Sequence, residues 1–151
     1  MITLRDSRVE DGDRVVDIWR LSVDATHHFL TPEDRDAIEA MVCGFLPNAP
    51  LTLAVDADGL PLAFMLIDDG HMEALFVDPA HAGKGIGAAL VRDALALHPN
   101  LTTDVNEQNS QAIGFYERMG FVRTGRSALD GQGRPYPLIH LRASPEVPAA
   151  D

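Results

Sequence analysis

The sequence predicts a mixed α/β fold, a sheet of parallel and antiparallel strands flanked by helices. Three observations carry this reading. Apolar runs of strand length and helical stripes follow one another in the order β-α-α-β-β-β-α-β-α-β-β. The strands His71–Val77 and Leu101–Val105 flank a helix, which requires parallel pairing through a right-handed crossover. The other strands are joined by turn-forming stretches, Asp56-Ala57-Asp58-Gly59, Asp69-Gly70 and Asp130-Gly131-Gln132-Gly133, which read as antiparallel hairpins.

Ile2–Arg5 alternates and predicts a short edge strand. From about Glu10, Val15, Val16, Ile18, Trp19 and Val23 recur on one helical stripe that ends near Ala25-Thr26-His27-His28. Thr31-Pro32-Glu33-Asp34 opens a second helix, with Thr as N-cap, Pro at the first helical position and acids in the first turn. Its apolar side, Ile38, Met41, Val42, Phe45 and Leu46, is expected in the core, and Pro47-Asn48-Ala49-Pro50 ends it. Strands Leu51–Val55, about Leu62–Ile67, and His71–Val77 follow. Helix Gly85–Leu97 turns Ile86, Leu90, Val91, Ala94 and Leu95 inward, and Pro99-Asn100 resets the chain for Leu101–Val105. A helix over Ser110–Met119 is closed by Gly120, and Phe121–Ser127 and Tyr136–Leu141 form the last strand pair.

With 151 residues, 46% of them hydrophobic, the chain suits one domain with one sizeable core. That domain is expected over residues 1–142, with the Pro/Ala-rich stretch 143–151 as a flexible tail. No apolar run nears the ~20 residues of a membrane span. The opening stretch MITLRDSRVEDGD has no signal-peptide core, so a cytoplasmic protein is expected. A single cysteine, Cys43, suits a reducing compartment, and its apolar helical setting predicts a buried structural thiol. The net charge of −11 argues against nucleic acid or an anionic membrane as partner. It favours a cationic acceptor such as an amine or basic peptide, although solubility alone explains the charge equally well.

The most informative stretch is Leu75–Leu90, LFVDPAHAGKGIGAAL. A strand gives way to Gly83-Lys84-Gly85-Ile86-Gly87, and a helix starts at once. Alternate glycines let the backbone approach a ligand, and the helix start adds unpaired N–H groups and a positive dipole end. Together they make a seat for a phosphate or pyrophosphate. Lys84, the chain's only lysine, lies inside this loop, as a ligand or as a solvated charge. On the preceding strand, alternation places His71, Glu73, Leu75 and Val77 on one face. His71 and Glu73 are then either a polar strand end or a pair suited to moving a proton.

Two motifs carry a resemblance. Ala82-Gly83-Lys84-Gly85-Ile86-Gly87 follows Leu75-Phe76-Val77-Asp78-Pro79, and Asn109-Ser110-Gln111-Ala112-Ile113-Gly114-Phe115-Tyr116-Glu117-Arg118-Met119-Gly120-Phe121 comes later at the right distance. In this order they resemble the GCN5-related N-acetyltransferase (GNAT) superfamily, with Ala82 where that family usually has Arg or Gln. The resemblance implies acetyl-CoA as co-substrate, with Gly83–Ala88 on the pyrophosphate and the backbone of Leu75, Phe76 and Val77 on the pantetheine arm. It implies that Tyr116 protonates the leaving thiolate, against the alternative of a core aromatic beside Phe115. Asn109 is either a contact to the cofactor arm, a helix N-cap, or both. Asp24, His27, His28 and Phe29 would wall the acceptor site, with Tyr136 closing its other side.

The implied reaction moves an acetyl group from the thioester to a primary amine by direct attack, the acceptor being a protein lysine. An amine of pKa about 10.4 must lose a proton before it attacks, so a base helps, and Glu73 or His71 is the candidate, most simply through water. The alternatives are a small-molecule or polyamine acetyltransferase and a catalytically weak CoA-binding sensor. Adjacent histidines without a second cluster do not make a metal site, so no metal is expected. A monomer or homodimer is expected.

Overall fold

The computed structural model describes residues 2–144. Strands β1 (Thr3–Asp6), β2 (Thr52–Val55), β3 (Pro61–Asp68), β4 (His71–Val77), β5 (Thr102–Asn106), β6 (Phe121–Ser127) and β7 (Leu138–Ala143) form one sheet in the order β1-β2-β3-β4-β5-β7-β6. Helices α1 (Gly12–Thr26) and α2 (Pro32–Phe45) lie between β1 and β2 in sequence, α3 (Ile86–Leu97) between β4 and β5, and α4 (Ser110–Arg118) between β5 and β6. β4 pairs β5 in parallel, as the intervening helix demands, while β1–β2, β2–β3, β5–β7 and β6–β7 are antiparallel. Asp69 and Gly70 join β3 to β4 with φ of 49° and 75°. Two consecutive positive φ values make the type I′ turn, whose twist matches that of the strands it connects. The sheet and its flanking helices match the mixed α/β architecture expected.

The chain divides into two compact units. Among the described residues, the first takes 2–66 together with Ala74–Leu90, and the second takes Ile67–Glu73 and 91–144. The core of the first unit joins the α1 stripe of Val15, Ile18, Trp19 and Val23 to Leu51, Leu53, Phe64 and Leu66, with Ala74 and Phe76 packed against it. The second unit buries Leu101, Val105, Ile113, Tyr116, Phe121, Tyr136, Ile139 and Leu141.

Four expectations are corrected. No residue of α2 is fully buried: Met41 and Phe45 stand 45% and 54% exposed, and only Ile38 and Val42 touch the core. The helix is instead tied to α1 through charges. Arg35 reaches Asp24 with two hydrogen bonds of 2.9 and 3.0 Å, shares Glu39 with Arg20, and stacks 5.6 Å from the Trp19 ring. With one edge of α2 so tied, Cys43 is exposed rather than buried, and Arg20 Nη2 lies 3.7 Å from its sulfur. The last strand starts at Leu138 rather than Tyr136, because Pro137 has no N–H to give to a ladder. β7 runs through Ala143, so the expected boundary at 142/143 falls inside a strand, and Ser144 N–H still reaches Gly120 O at 3.1 Å. The remainder of the expected tail, 145–151, lies outside the described residues. Among the described residues no helix is long and apolar enough to cross a membrane.

An ion pair of α1 reaches the end of β4 in the first unit. Arg14 of α1 donates to Pro61 O at 2.8 Å and to the buried Asp78 carboxylate at 2.8 Å. Burial pushes the Asp78 carboxyl up, but Arg14 and the Ala80 N–H outweigh it and hold the group below its ordinary range. A carboxyl lowered in the folded state stabilises above its unfolded pKa, and that contribution is lost as pH falls through the folded value. Replacing Arg14 by Met is expected to cost about 2–3 kcal/mol at pH 7, because the buried carboxylate loses its counter-charge. The cost should shrink as pH falls from the unfolded carboxyl value of about 3.9 toward the lower folded value, as the contribution of the charged pair is lost. Urea unfolding of both proteins at pH 7 and pH 3 checks this, and an equal difference at the two pH values would refute it.

Candidate active site

In the first unit, β4 runs into the glycine loop. Asp78 caps the short 3-10 turn Pro79–His81, accepting from Ala80 N–H at 3.0 Å. Ala82 is extended, Gly83 and Gly85 follow at φ of 79° and 78°, and α3 begins at Ile86. A Cβ at either glycine would meet nothing within 4 Å. Left-handed backbone, rather than crowding, is therefore what calls for glycine here. Residues 82–85 are exposed, and the N–H groups of the first turn of α3 have no intrahelical acceptors. Such an exposed, left-handed loop at a helix start has the features of a pyrophosphate seat. Lys84 Nζ lies 3.1 Å from His81 Nδ1. An ammonium only donates, so the imidazole nitrogen accepts.

The same unit gathers part of the expected acceptor wall. His27 is the C-cap of α1, and its half-buried ring lies 5.3 Å from Phe29 and 6.4 Å from Phe76 of β4. Phe76 in turn packs 5.5 Å from the core Phe64. Loss of solvent, with a smaller contribution from His28, pushes the His27 pKa below its ordinary value. Asp24 and His28 are committed elsewhere. Asp24 is held by Arg35, and the exposed His28 donates through Nε2 to Ala25 O at 2.9 Å.

In the second unit, β4 and β5 pair through His71↔Thr102 and Met72↔Thr103. His71 Nδ1 is 2.7 Å from Thr102 Oγ1, and its Nε2 is 3.3 Å from Asp104 Oδ2. Asp104 Oδ1 lies 2.6 Å from His140 Nδ1, and His140 Nε2 lies 2.6 Å from Ser127 Oγ. A line of polar side chains thus crosses β4, β5, β7 and β6. Both ring nitrogens of His71 have neighbours in it, whereas Glu73 is exposed. Thr102, Asp104, Ser127 and His140 were not singled out from the sequence. The alternation of Thr102 and Asp104 along β5 was readable, but their partners depend on strand register.

Tyr116 is buried in this unit, between Phe115 at 5.1 Å and Phe121 at 5.3 Å. Burial pushes its phenol well above the ordinary tyrosine range, with the Thr103 hydroxyl pulling the other way. The phenol therefore keeps its proton across neutral pH. Asn109 is the N-cap of α4, accepting from Ala112 N–H at 3.2 Å. Tyr136 is buried just before β7. Among the described residues no group of three or more His, Cys, Asp or Glu side chains is arranged to hold a metal ion.

The domain family described as acetyltransferase (GNAT) domain matches residues 47–123. Peptidyl-lysine N-acetyltransferase YjaB of Salmonella typhimurium is 55% identical, over 93% of this chain and 97% of that protein. Its Escherichia coli K12 counterpart is 52% identical, over 93% and 96%. The solution structure of apo-form YjaB from Escherichia coli superimposes with a TM-score of 0.90, covering 94% of this chain and 97% of that one. The chain belongs to the GNAT acetyltransferases and is an N-acetyltransferase.

Proposed function

We propose that the protein transfers an acetyl group from acetyl-CoA to the side-chain amine of lysine residues in proteins, by direct attack of the amine on the thioester. The observation that carries the donor half is the open glycine loop, with Gly83 and Gly85 left-handed ahead of α3. The acceptor half is supported by the 55% and 52% identity to two peptidyl-lysine N-acetyltransferases. The net charge of −11 suits a cationic acceptor. The single cysteine suits a reducing cytoplasm.

In this reading Ala82–Ala88 seat the pyrophosphate, mostly through backbone N–H groups, with Lys84 adding positive potential. The backbone of Leu75, Phe76 and Val77 binds the pantetheine amides, and one N–H near Phe76 holds the carbonyl oxygen as it gains charge. Asn109 serves both as the observed N-cap and as a contact to the cofactor arm. Acetyl-CoA supplies the activated acyl group. Tyr116 gives its proton to the departing sulfur as the thiolate leaves. Phe29, beside the His27 ring, frames the acceptor. On β4, Glu73 faces solvent, while His71, engaged with Thr102 and Asp104, fixes the strand end.

Three outcomes are expected. In a CoA-release assay, lysine-containing peptides should turn over and polyamines should not; tight CoA binding with no turnover on any amine would favour a sensor. Tyr116→Phe should keep acetyl-CoA affinity and lose about 100-fold or more in kcat, and unchanged kcat would remove the general-acid role. Gly85→Ala should raise the KM for acetyl-CoA about 10-fold, because a Cβ at φ of 78° strains the loop by ~1–2 kcal/mol. Calorimetric acetyl-CoA affinity equal to the parent's would argue against the loop as the pyrophosphate seat.

A further inference from the structure

We propose that His27 takes the proton from the incoming amine through its Nε2, and that Thr26 is the positioning residue that keeps this nitrogen unprotonated. The proposal rests on the acetyltransferase reading above and names a base for it that lies outside β4.

The hydrogen-bond count around Thr26 fixes the tautomer. The Thr26 hydroxyl has one hydrogen, and it goes to Ser22 O at 2.7 Å, an oxygen that can only accept. The 2.7 Å contact between Thr26 Oγ1 and His27 Nδ1 must then take its hydrogen from the ring. In the neutral imidazole Nδ1 therefore carries the proton and Nε2 carries the lone pair. Among the described residues no protein group is hydrogen-bonded to that Nε2. The neighbouring His28 has the opposite arrangement, its Nε2 donating to Ala25 O.

The ring is also held in place. The His27 N–H donates to Val23 O at 2.8 Å, and its carbonyl accepts from Leu30 N–H at 3.3 Å. Phe29 and Phe76 flank the imidazole, and this apolar setting favours its neutral form. Phe76 belongs to the stretch of β4 assigned above to the acetyl carbonyl, and the imidazole ring lies 6.4 Å from its ring, next to the residue that would present the acyl group.

The proton balance is complete without a further reactant. A lysine ammonium gives one proton to Nε2, and the freed lone pair forms the C–N bond as the C–S bond breaks. The sulfur leaves with the bonding pair and takes the Tyr116 proton. The second proton lost by nitrogen restores the phenol, and His27 returns its own to solvent. One proton is released per acetyl transferred.

The test joins a spectroscopic and a kinetic measurement. In the ligand-free protein, nitrogen-15 NMR of the His27 ring at neutral pH should give a protonated Nδ1 and an unprotonated Nε2. His27→Ala should lose about 100-fold in kcat with acetyl-CoA affinity retained, and added imidazole should restore part of it. Thr26→Val should move the ring proton toward Nε2 and lower kcat without changing acetyl-CoA affinity, while Thr26→Ser should restore both. A proton found on Nε2 in the parent, or a kcat for His27→Ala within about 3-fold of the parent, overturns the proposal. Loss confined to Glu73→Gln moves the base to β4 and overturns it as well. A parent that acetylates no amine overturns the transferase reading and this proposal with it.

Discussion

In the first unit the buried carboxylate of Asp78 ties three elements together. Asp78 lies where β4 ends, and removing its charge from water is tolerable only because Arg14 of α1 meets it at 2.8 Å. Each remaining polar group of Asp78 has a partner of its own: its N–H goes to Leu62 O, and its second carboxylate oxygen caps the turn at Ala80. Arg14 also holds the start of β3 through Pro61 O. Helix α1, the start of β3 and the end of β4 therefore converge on one ion pair. The glycine loop departs from that fixed point, so its course starts from the ion pair.

The architecture was legible where local chemistry decides it. Thr31-Pro32 caps α2 as its residue types require, with the Thr31 side chain accepting from Asp34 N–H. Asp69-Gly70 makes the turn that two positive φ values demand. The glycine loop and the Asn109 cap were readable for the same reason, since each is contained in a few consecutive residues. What was not legible depends on partners distant in sequence. The setting of His71 is made by Thr102 and Asp104, and only the register of β4 on β5 brings them to it. The apolar pattern of α2 suggested a buried face, because periodicity shows that a stripe exists and does not show how much of it a neighbour covers. Met41 and Phe45 lie on the uncovered part.

The paired histidines after α1 illustrate how little residue type says about role. His27 and His28 are adjacent and chemically identical, yet opposite ring nitrogens are engaged, one by a threonine side chain and the other by a main-chain carbonyl. One ring is half-buried between phenylalanines and the other is exposed. The difference comes from the helix end: the hydroxyl of Thr26 is spent on the last turn of α1, which leaves only its lone pair for the imidazole that follows.

The sequence carries twelve Lys and Arg side chains, and Lys84 is the one lysine among them. Guanidinium groups stay protonated in water and are poor nucleophiles. A catalyst that acylates lysine amines therefore offers its own acyl donor a single lysine of its own to modify. Arginine makes the ion pairs of Arg14 and Arg35 without adding a competing acceptor, so the choice of cation limits self-labelling. Lys84 is the exception, exposed in the loop that would hold the donor's phosphates. Any side-chain self-labelling at lysine would be confined to that one position and would remove the loop's lysine charge.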